Sequence, residues 1–298
     1  MADIAASVLA RLRNKARASC ISYQQCLQLF VQEEFLRRLS RSGCRDLLIL
    51  KGGLLIYALS DFEGRATVDV DFLLKGVPNS PEDVEKLIQK IIHTPTGNDY
   101  IEMSVKGFEE ISPQRKYHGI STQVIGRIKN VRVPFDVDMG VGDVIVPHAE
   151  ERVIHTQLPG FEPPVVKTYS LESSIAEKFD GILQRFELTG RMKDFYDIYY
   201  LAGAFDFDGQ RLQTALAKTL EQRGTPYSRD SFRRVAALAG DADIQKRWKY
   251  FLKNIREDTL EFAVVMGDIQ RFLEPVFDGI TGGSDWKRVW NHDGKKWV

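Results

Sequence analysis

The segment LLILKGGLLIYALSDFEGRATVDVDFLL, residues 47–74, constrains the fold more than any other part of the chain. An apolar run from Leu47 to Leu50 breaks at Lys51-Gly52-Gly53, and about a dozen residues of helical pattern follow. A short loop is expected at Asp61–Gly64. Strict alternation comes next, with Arg65, Thr67, Asp69 and Asp71 on one side and Ala66, Val68, Val70 and Phe72 on the other. Val, Thr and Phe favour a strand, whose period of two puts the four polar side chains on one face. Asp69 and Asp71 then stand about 7 Å apart at their Cα atoms. Like charges held that closely resist ionisation, so a metal, an arginine or a shared proton is expected beside them. The glycines permit a tight turn, and a helix starting at Gly53 aims free N–H groups and its positive end at an anion. Carboxylates for a metal beside a phosphate cradle suggest nucleotidyl or phosphoryl transfer. The plainer alternative is an exposed strand face with a glycine-containing turn.

Carboxylates gather a second time in VRVPFDVDMGVGD, residues 131–143. Polymerase-type transfer needs a third carboxylate from a neighbouring strand to hold two metals. Asp136 and Asp138 share a face by alternation, and either fits that place. Pro134 lacks an N–H, which predicts an edge position or a bulge.

Four stretches, LKGG, RATVDVDFL, VDMGVGDVIVP and SLESSIAEKFDGILQRFELTGRMKDFYDIYYLA, occur in this order. Together they resemble the AbiEii/AbiGii toxin family of nucleotidyltransferase-like proteins, which includes the MenT toxins; the resemblance spans residues 6–205. It implies an α/β fold: a polymerase-β-type mixed sheet with N-terminal helices over residues 1–155, and a helical domain over 156–298 that completes a nucleotide cleft. It favours Asp138 as the third ligand, with Asp143 as a loop carboxylate. Asp69, Asp71 and Asp138 are then expected to hold two Mg²⁺ (or Mn²⁺) ions. Lys51, Gly52, Gly53, Arg65 and Thr67 are expected at the triphosphate of an NTP. The resemblance also places Lys178, Arg191 and Asp194 against the nucleotide, with Lys178 and Asp194 among the catalytic residues. It implies a type IV-like toxin or abortive-infection protein that transfers nucleotides from NTP to RNA, at the tRNA 3′ acceptor end, blocks translation and is countered by an AbiEi-like antitoxin. Alternatives are nucleotidyl or phosphoryl transfer to a protein hydroxyl, or a silent module that binds nucleotide or antitoxin. Thr67, on the face of Asp69 and within reach of a γ-phosphate, is a candidate for phosphorylation.

Elsewhere the pattern is largely helical. Residues 3–18 predict an amphipathic helix whose Arg11, Arg13, Lys15 and Arg17 form a solvated or phosphate-touching face. Ser22 reads as the cap of a helix to about Ser40, buried along Leu27, Phe30, Val31, Phe35 and Leu39. A helix over 81–94 and strands over 99–108, 120–129 and 130–138 follow, the last two in a hairpin at Lys129-Asn130. The prolines between Pro147 and Pro164 mark a linker. Ser170 caps a helix to about Glu187, on which Lys178 lies at the edge of the apolar stripe. Asp194 sits inside the apolar stripe of the next helix, and Lys178 or Arg191 is its expected partner, since an unpaired buried acid is costly. Helices are expected over 209–222, 230–240, 243–254 and 258–275. The tail, with Trp286, Trp290 and Trp297 among lysines and arginines, reads as a packed tail or an RNA-stacking surface.

Composition narrows the class. Forty-one basic and 41 acidic residues cancel, so contact with nucleic acid requires a local patch. Cys20, Cys26 and Cys44 lack metal-ligand spacing and suit a reducing compartment. No stretch approaches the roughly 18 apolar residues of a membrane span, and the N-terminus has no signal-peptide core. A soluble cytoplasmic protein with no membrane partner is expected.

Overall fold

The computed structural model describes residues 3–19, 21–60, 67, 69–111, 119–257 and 259–298. The chain divides into two units, Met1–Gly142 with Ala149–Thr168, and Asp143–His148 with Tyr169–Val298.

The first unit runs α1 (Ile4–Ala18), α2 (Tyr23–Arg41), β1 (Leu48–Lys51), α3 (Gly52–Leu59), β2 (Val70–Leu74), α4 (Pro81–Ile92), β3 (Ile101–Ile111), β4 (Gly119–Ile128), β5 (Val131–Gly140), β6 (Glu150–Val153) and β7 (Val165–Thr168). Local chemistry starts the helices. Ser22 and Gln25 form a capping box at α2, and the Ser80 hydroxyl accepts from the Asp83 N–H ahead of Pro81 in α4. The strands form one mixed sheet in the order β3-β4-β5-β2-β1-β7-β6, with β2 parallel to β5 and β1 parallel to β7. The first unit thus extends past residue 155, to Thr168, because β7 hydrogen-bonds to β1 and carries β6 with it.

Alternation in β5 puts Val133, Phe135, Val137 and Met139 on a buried face, where α2 packs. Phe35 of α2 meets Phe135 edge-on at 5.9 Å and Phe72 at 6.2 Å between ring centroids. Helix α2 also approaches β4 so closely that a side chain at Gly126 would collide with Val31. Gly126→Ala should therefore cost about 1–3 kcal/mol, measured as a lower urea midpoint with an unchanged slope.

Three expectations are corrected in this unit. Pro134 is in an interior strand, not at an edge; β2 pairs only with Val137–Gly140, so the missing N–H breaks no described β2–β5 pair. The strand carrying Asp71 starts at Val70, with Asp69 just before it. Helix α2 is buried nearly all round, charges included. Arg37 bridges Glu33 and Glu34, and its Nε donates to the Glu162 carbonyl at 2.6 Å. Glu34 also accepts from Thr96, and from Asn98 at 2.7 Å. Burial pushes the Glu33 carboxyl up, against the pull of Arg37. Two basic residues of α1 are likewise engaged: Arg11 donates to the Pro159 carbonyl and Lys15 to that of Gln157 at 2.8 Å.

The second unit runs α5 (Leu171–Leu183), α6 (Met192–Ala204), β8 (Phe207–Asp208), α7 (Gly209–Arg223), α8 (Arg229–Ala237), α9 (Ala242–Ile255), α10 (Phe262–Gly282), β9 (Val289–Asn291) and β10 (Lys296–Trp297). The tail forms a three-stranded sheet in the order β10-β9-β8 and packs on the helices. Trp290 is buried and donates to the Ala202 carbonyl at 2.7 Å, while Trp297 stacks on Phe272 at 5.9 Å. Trp290 is core, and Trp297 is half-buried with its face stacked on Phe272, which favours the packed tail over an RNA-stacking surface for these two indoles. Among the described residues no helix is long and apolar enough to cross a membrane.

His292 joins the tail to Asp206, ring Nδ1 to carboxylate at 2.7 Å. That hydrogen bond raises the imidazole above 6.5, and the His292 N–H and ring lower Asp206 below 3.8. The histidine's contribution is complete below pH 6.5 and is lost as pH rises through its raised value; the aspartate's is lost as pH falls through its lowered one. The melting temperature of His292→Gln should fall below wild type most between pH 4 and 6.5, with the gap closing above. A gap independent of pH would remove the charge from this explanation.

Candidate active site

The site is built where β2 lies between β5 and β1. Parallel register sets Asp71 beside Asp138, and antiparallel register sets Lys51 on its other flank. Both aspartates are half-buried. After Lys51 the chain turns through Gly52, at φ +67°, into α3. Only glycine suits this position, for two reasons. Its φ is left-handed, and a Cβ would overlap the Asp71 carboxylate. The turn that opens α3 therefore touches one of the acids, and its first N–H groups lack partners within the helix. Gly53 is buried in the first turn, ahead of Leu54, Leu55 and Ile56 in the core.

Negative charge accumulates at this place. Burial pushes the Asp138 carboxyl up; a hydrogen bond from Ser121 at 2.6 Å pulls the other way, and the charges of Asp71, Asp69 and Asp136 add to the rise. Asp136, one rung along β5, accepts from Gln123 at 3.3 Å. The Lys51 ammonium reaches towards Gly140, 3.9 Å from where a Cβ would stand there. The Thr67 hydroxyl donates to the Asp69 carbonyl at 3.4 Å. Arg65 lies outside the described residues.

A divalent cation fits this chemistry in a particular way. Among the described residues no three His, Cys, Asp or Glu side chains make a group able to hold a metal unaided. Mg²⁺, however, usually takes one or two carboxylates and completes its shell with substrate phosphates and water. Asp71 and Asp138 supply such a pair, and the charges of Asp69 and Asp136 act on Asp138 as well. The structure thus brings together Asp71, Asp138, Gly52 and Lys51, with Asp69 close enough to act on Asp138.

The residues of the second helical motif form their own cluster in the second unit. Ser170 caps α5 by accepting from the Ser173 N–H, and Lys178 follows two turns later. Its ammonium donates to Asp197 at 2.6 Å and lies 3.6 Å from Asp194, which Arg191 also bridges. Both acids are buried. Sequence reasoning found Asp194 and missed Asp197, although its place one turn further along the same face was the available signal. It also missed Asp180, which is fully buried and accepts from Thr225, from Gln184 at 3.0 Å and from Arg223 at 3.0 Å. Arg223 binds Asp143 and Glu177 as well, each at 2.9 Å.

A family model described as the nucleotidyl transferase AbiEii toxin of type IV toxin–antitoxin systems matches residues 34–278. The chain belongs to the AbiEii nucleotidyltransferase toxin family. Among solved structures it is similar to MenT4, the nucleotidyltransferase toxin Rv2826c of Mycobacterium tuberculosis H37Rv: 19% identity, 90% of this chain, 98% of that chain and a TM-score of 0.54. JHP933 from Helicobacter pylori matches at 16% identity over 85% of this chain and 95% of its own, with a TM-score of 0.46. No curated protein matches the sequence. The likeness to MenT4 is one of fold, and it agrees with the mixed sheet and the helical second unit of this AbiEii protein.

Proposed function

We propose that this AbiEii chain transfers a nucleotide from an NTP to RNA, at the 3′ acceptor end of tRNA, and so blocks translation in the cytoplasm until a cognate antitoxin counters it. One observation carries the proposal: Asp71 and Asp138 stand side by side on parallel strands, against the glycine turn that opens α3. Asp71 and Asp138, with Asp69, would hold Mg²⁺, which supplies positive charge for the triphosphate and acidity for an acceptor hydroxyl. Lys51 and the N–H groups at Gly52 and Gly53 bind and orient phosphate oxygens. Gly52, having no side chain, lets the phosphates approach the carboxylates. The acceptor hydroxyl oxygen forms a bond to the α-phosphorus, the bond to the bridging α–β oxygen breaks, and pyrophosphate leaves. The hydroxyl proton passes to the carboxylates. Lys178, Arg191 and Asp194 enter the proposal through the motif they share with the family, as does Arg65 through its strand; Thr67 enters as a residue near phosphate.

The test is incubation of the purified chain with Mg²⁺, total tRNA and each NTP labelled in turn at the α- or γ-phosphate, followed by denaturing gels. Label from the α-position in an RNase-sensitive band of tRNA size is expected. Label from the γ-position alone, or in a protease-sensitive band, would replace the proposal with phosphoryl transfer or a protein acceptor.

A further inference from the structure

Across β4 and β5 the sheet of the first unit has one buried face and one whose residues are exposed or half-exposed. Across the β4–β5 ladder, the open face carries four rungs: Ser121–Asp138, Gln123–Asp136, Ile125–Pro134 and Arg127–Arg132. The residues between them on β5 (Val133, Phe135 and Val137) are buried on the opposite face. Rungs succeed one another at about 7 Å, so Arg132 stands about 20 Å along β5 from Asp138. Their character changes in one direction, from two rungs that each carry an acid, through an apolar step, to paired cations.

The last rung is costly as it stands. Like charges directly opposite on neighbouring strands repel. Arg127 and Arg132 are both exposed, and among the described residues neither has a hydrogen bond or an ion pair. Glu102 of β3 faces Arg127 across the next ladder without bridging it. Two guanidinium groups turned outward on a flat face form a site for an anion with several oxygens, such as a phosphodiester. Next to them, Pro134 is exposed and Ile125 half-exposed, a small apolar step on which a base can lie.

Resting on the RNA transfer proposed above, we infer that this open face is the track of the acceptor strand. Arg127 and Arg132 hold a backbone phosphate upstream of the reacting end, and the Ile125–Pro134 step supports a base between them and the aspartates. The track accommodates about four nucleotides, at the low end of what a small single-strand platform covers. Glu102 limits the grip by opposing Arg127.

Direct binding separates this inference from the transfer reaction. A fluorescent single-stranded RNA of six nucleotides is titrated with the full chain across a range of salt. The Arg127→Gln/Arg132→Gln double variant should bind about tenfold more weakly at low salt, and the slope of log affinity against log salt should fall by about one. Glu102→Gln should bind more tightly than wild type. In transfer assays the double variant should raise KM for the six-nucleotide acceptor more than for a dinucleotide, which is too short to reach the arginines. Wild-type affinity and slope in the double variant, looser binding by Glu102→Gln, or equal losses for both acceptors would overturn the inference. Wild-type protein that binds the RNA with this salt signature but transfers no label would end the transfer proposal and keep the track. Transfer that is normal in the double variant would do the reverse.

Discussion

Asp71→Asn should abolish nucleotide transfer while leaving the fold intact. Groups that merely orient a metal ligand are worth about 10–100-fold, so a carboxylate in direct contact should exceed that range. The substitution preserves the size and shape of the side chain that lies against Gly52. It also removes one of the charges that crowd Asp138, so the melting temperature should hold or rise. A second readout is independent of turnover. Mg²⁺ with NTP should raise the melting temperature of the wild type by mass action, and this shift should vanish in Asp71→Asn. Full transfer by the variant, or the same stabilisation by Mg²⁺ and NTP, would remove Asp71 from the site.

The largest loss of stability is expected from Arg37→Ala. Arg37 is buried between Glu33 and Glu34, and removing it leaves Glu33 in the interior without its bridging cation and Glu34 with Arg38 alone. Breaking a buried ion pair in this way typically costs about 3–5 kcal/mol. Replacing the pair, Glu33→Gln with Arg37→Met, should recover much of that loss, because Glu33 is then no longer an uncompensated charge and Glu34 keeps Arg38. Denaturation should be followed by far-UV circular dichroism, since all four tryptophans (Trp248, Trp286, Trp290 and Trp297) belong to the second unit. A loss under 1 kcal/mol for Arg37→Ala would mean that water reaches these acids.

The parts of the fold legible from sequence were those set by neighbours in the chain. The caps Ser22 and Ser170 sit at helix starts because their hydroxyls serve amides three residues on. Alternation along β5 correctly set Asp136 and Asp138 on the face opposite Val133, Phe135 and Val137, since a strand has no other way to divide its side chains. The diglycine was legible as a turn, but its contact with Asp71 depends on the pairing of β1 with β2, which no local pattern specifies. The charges of α2 were misplaced for a related reason. Periodicity assigns polar residues to water, whereas Glu33, Glu34, Arg37 and Arg38 satisfy one another and the carbonyls of Ile92, Ile101 and Glu162. Asp197 escaped notice although it stands one turn beyond Asp194 on α6; no local pattern says which of the two takes the hydrogen bond of Lys178. Ser121 is an ordinary serine until β4 aligns it with Asp138.

The two aspartates come from strands that are neighbours in the sheet but distant along the chain. A parallel pair cannot close by a tight hairpin, and here α4, β3 and β4 are all made before β5 can dock against β2. During synthesis the polypeptide therefore carries half of the proposed centre until translation has passed Asp138. On the function proposed above, a ribosome making this chain would be spared its product for that interval, and prematurely terminated fragments ending before β5 should be harmless to the cell that makes them.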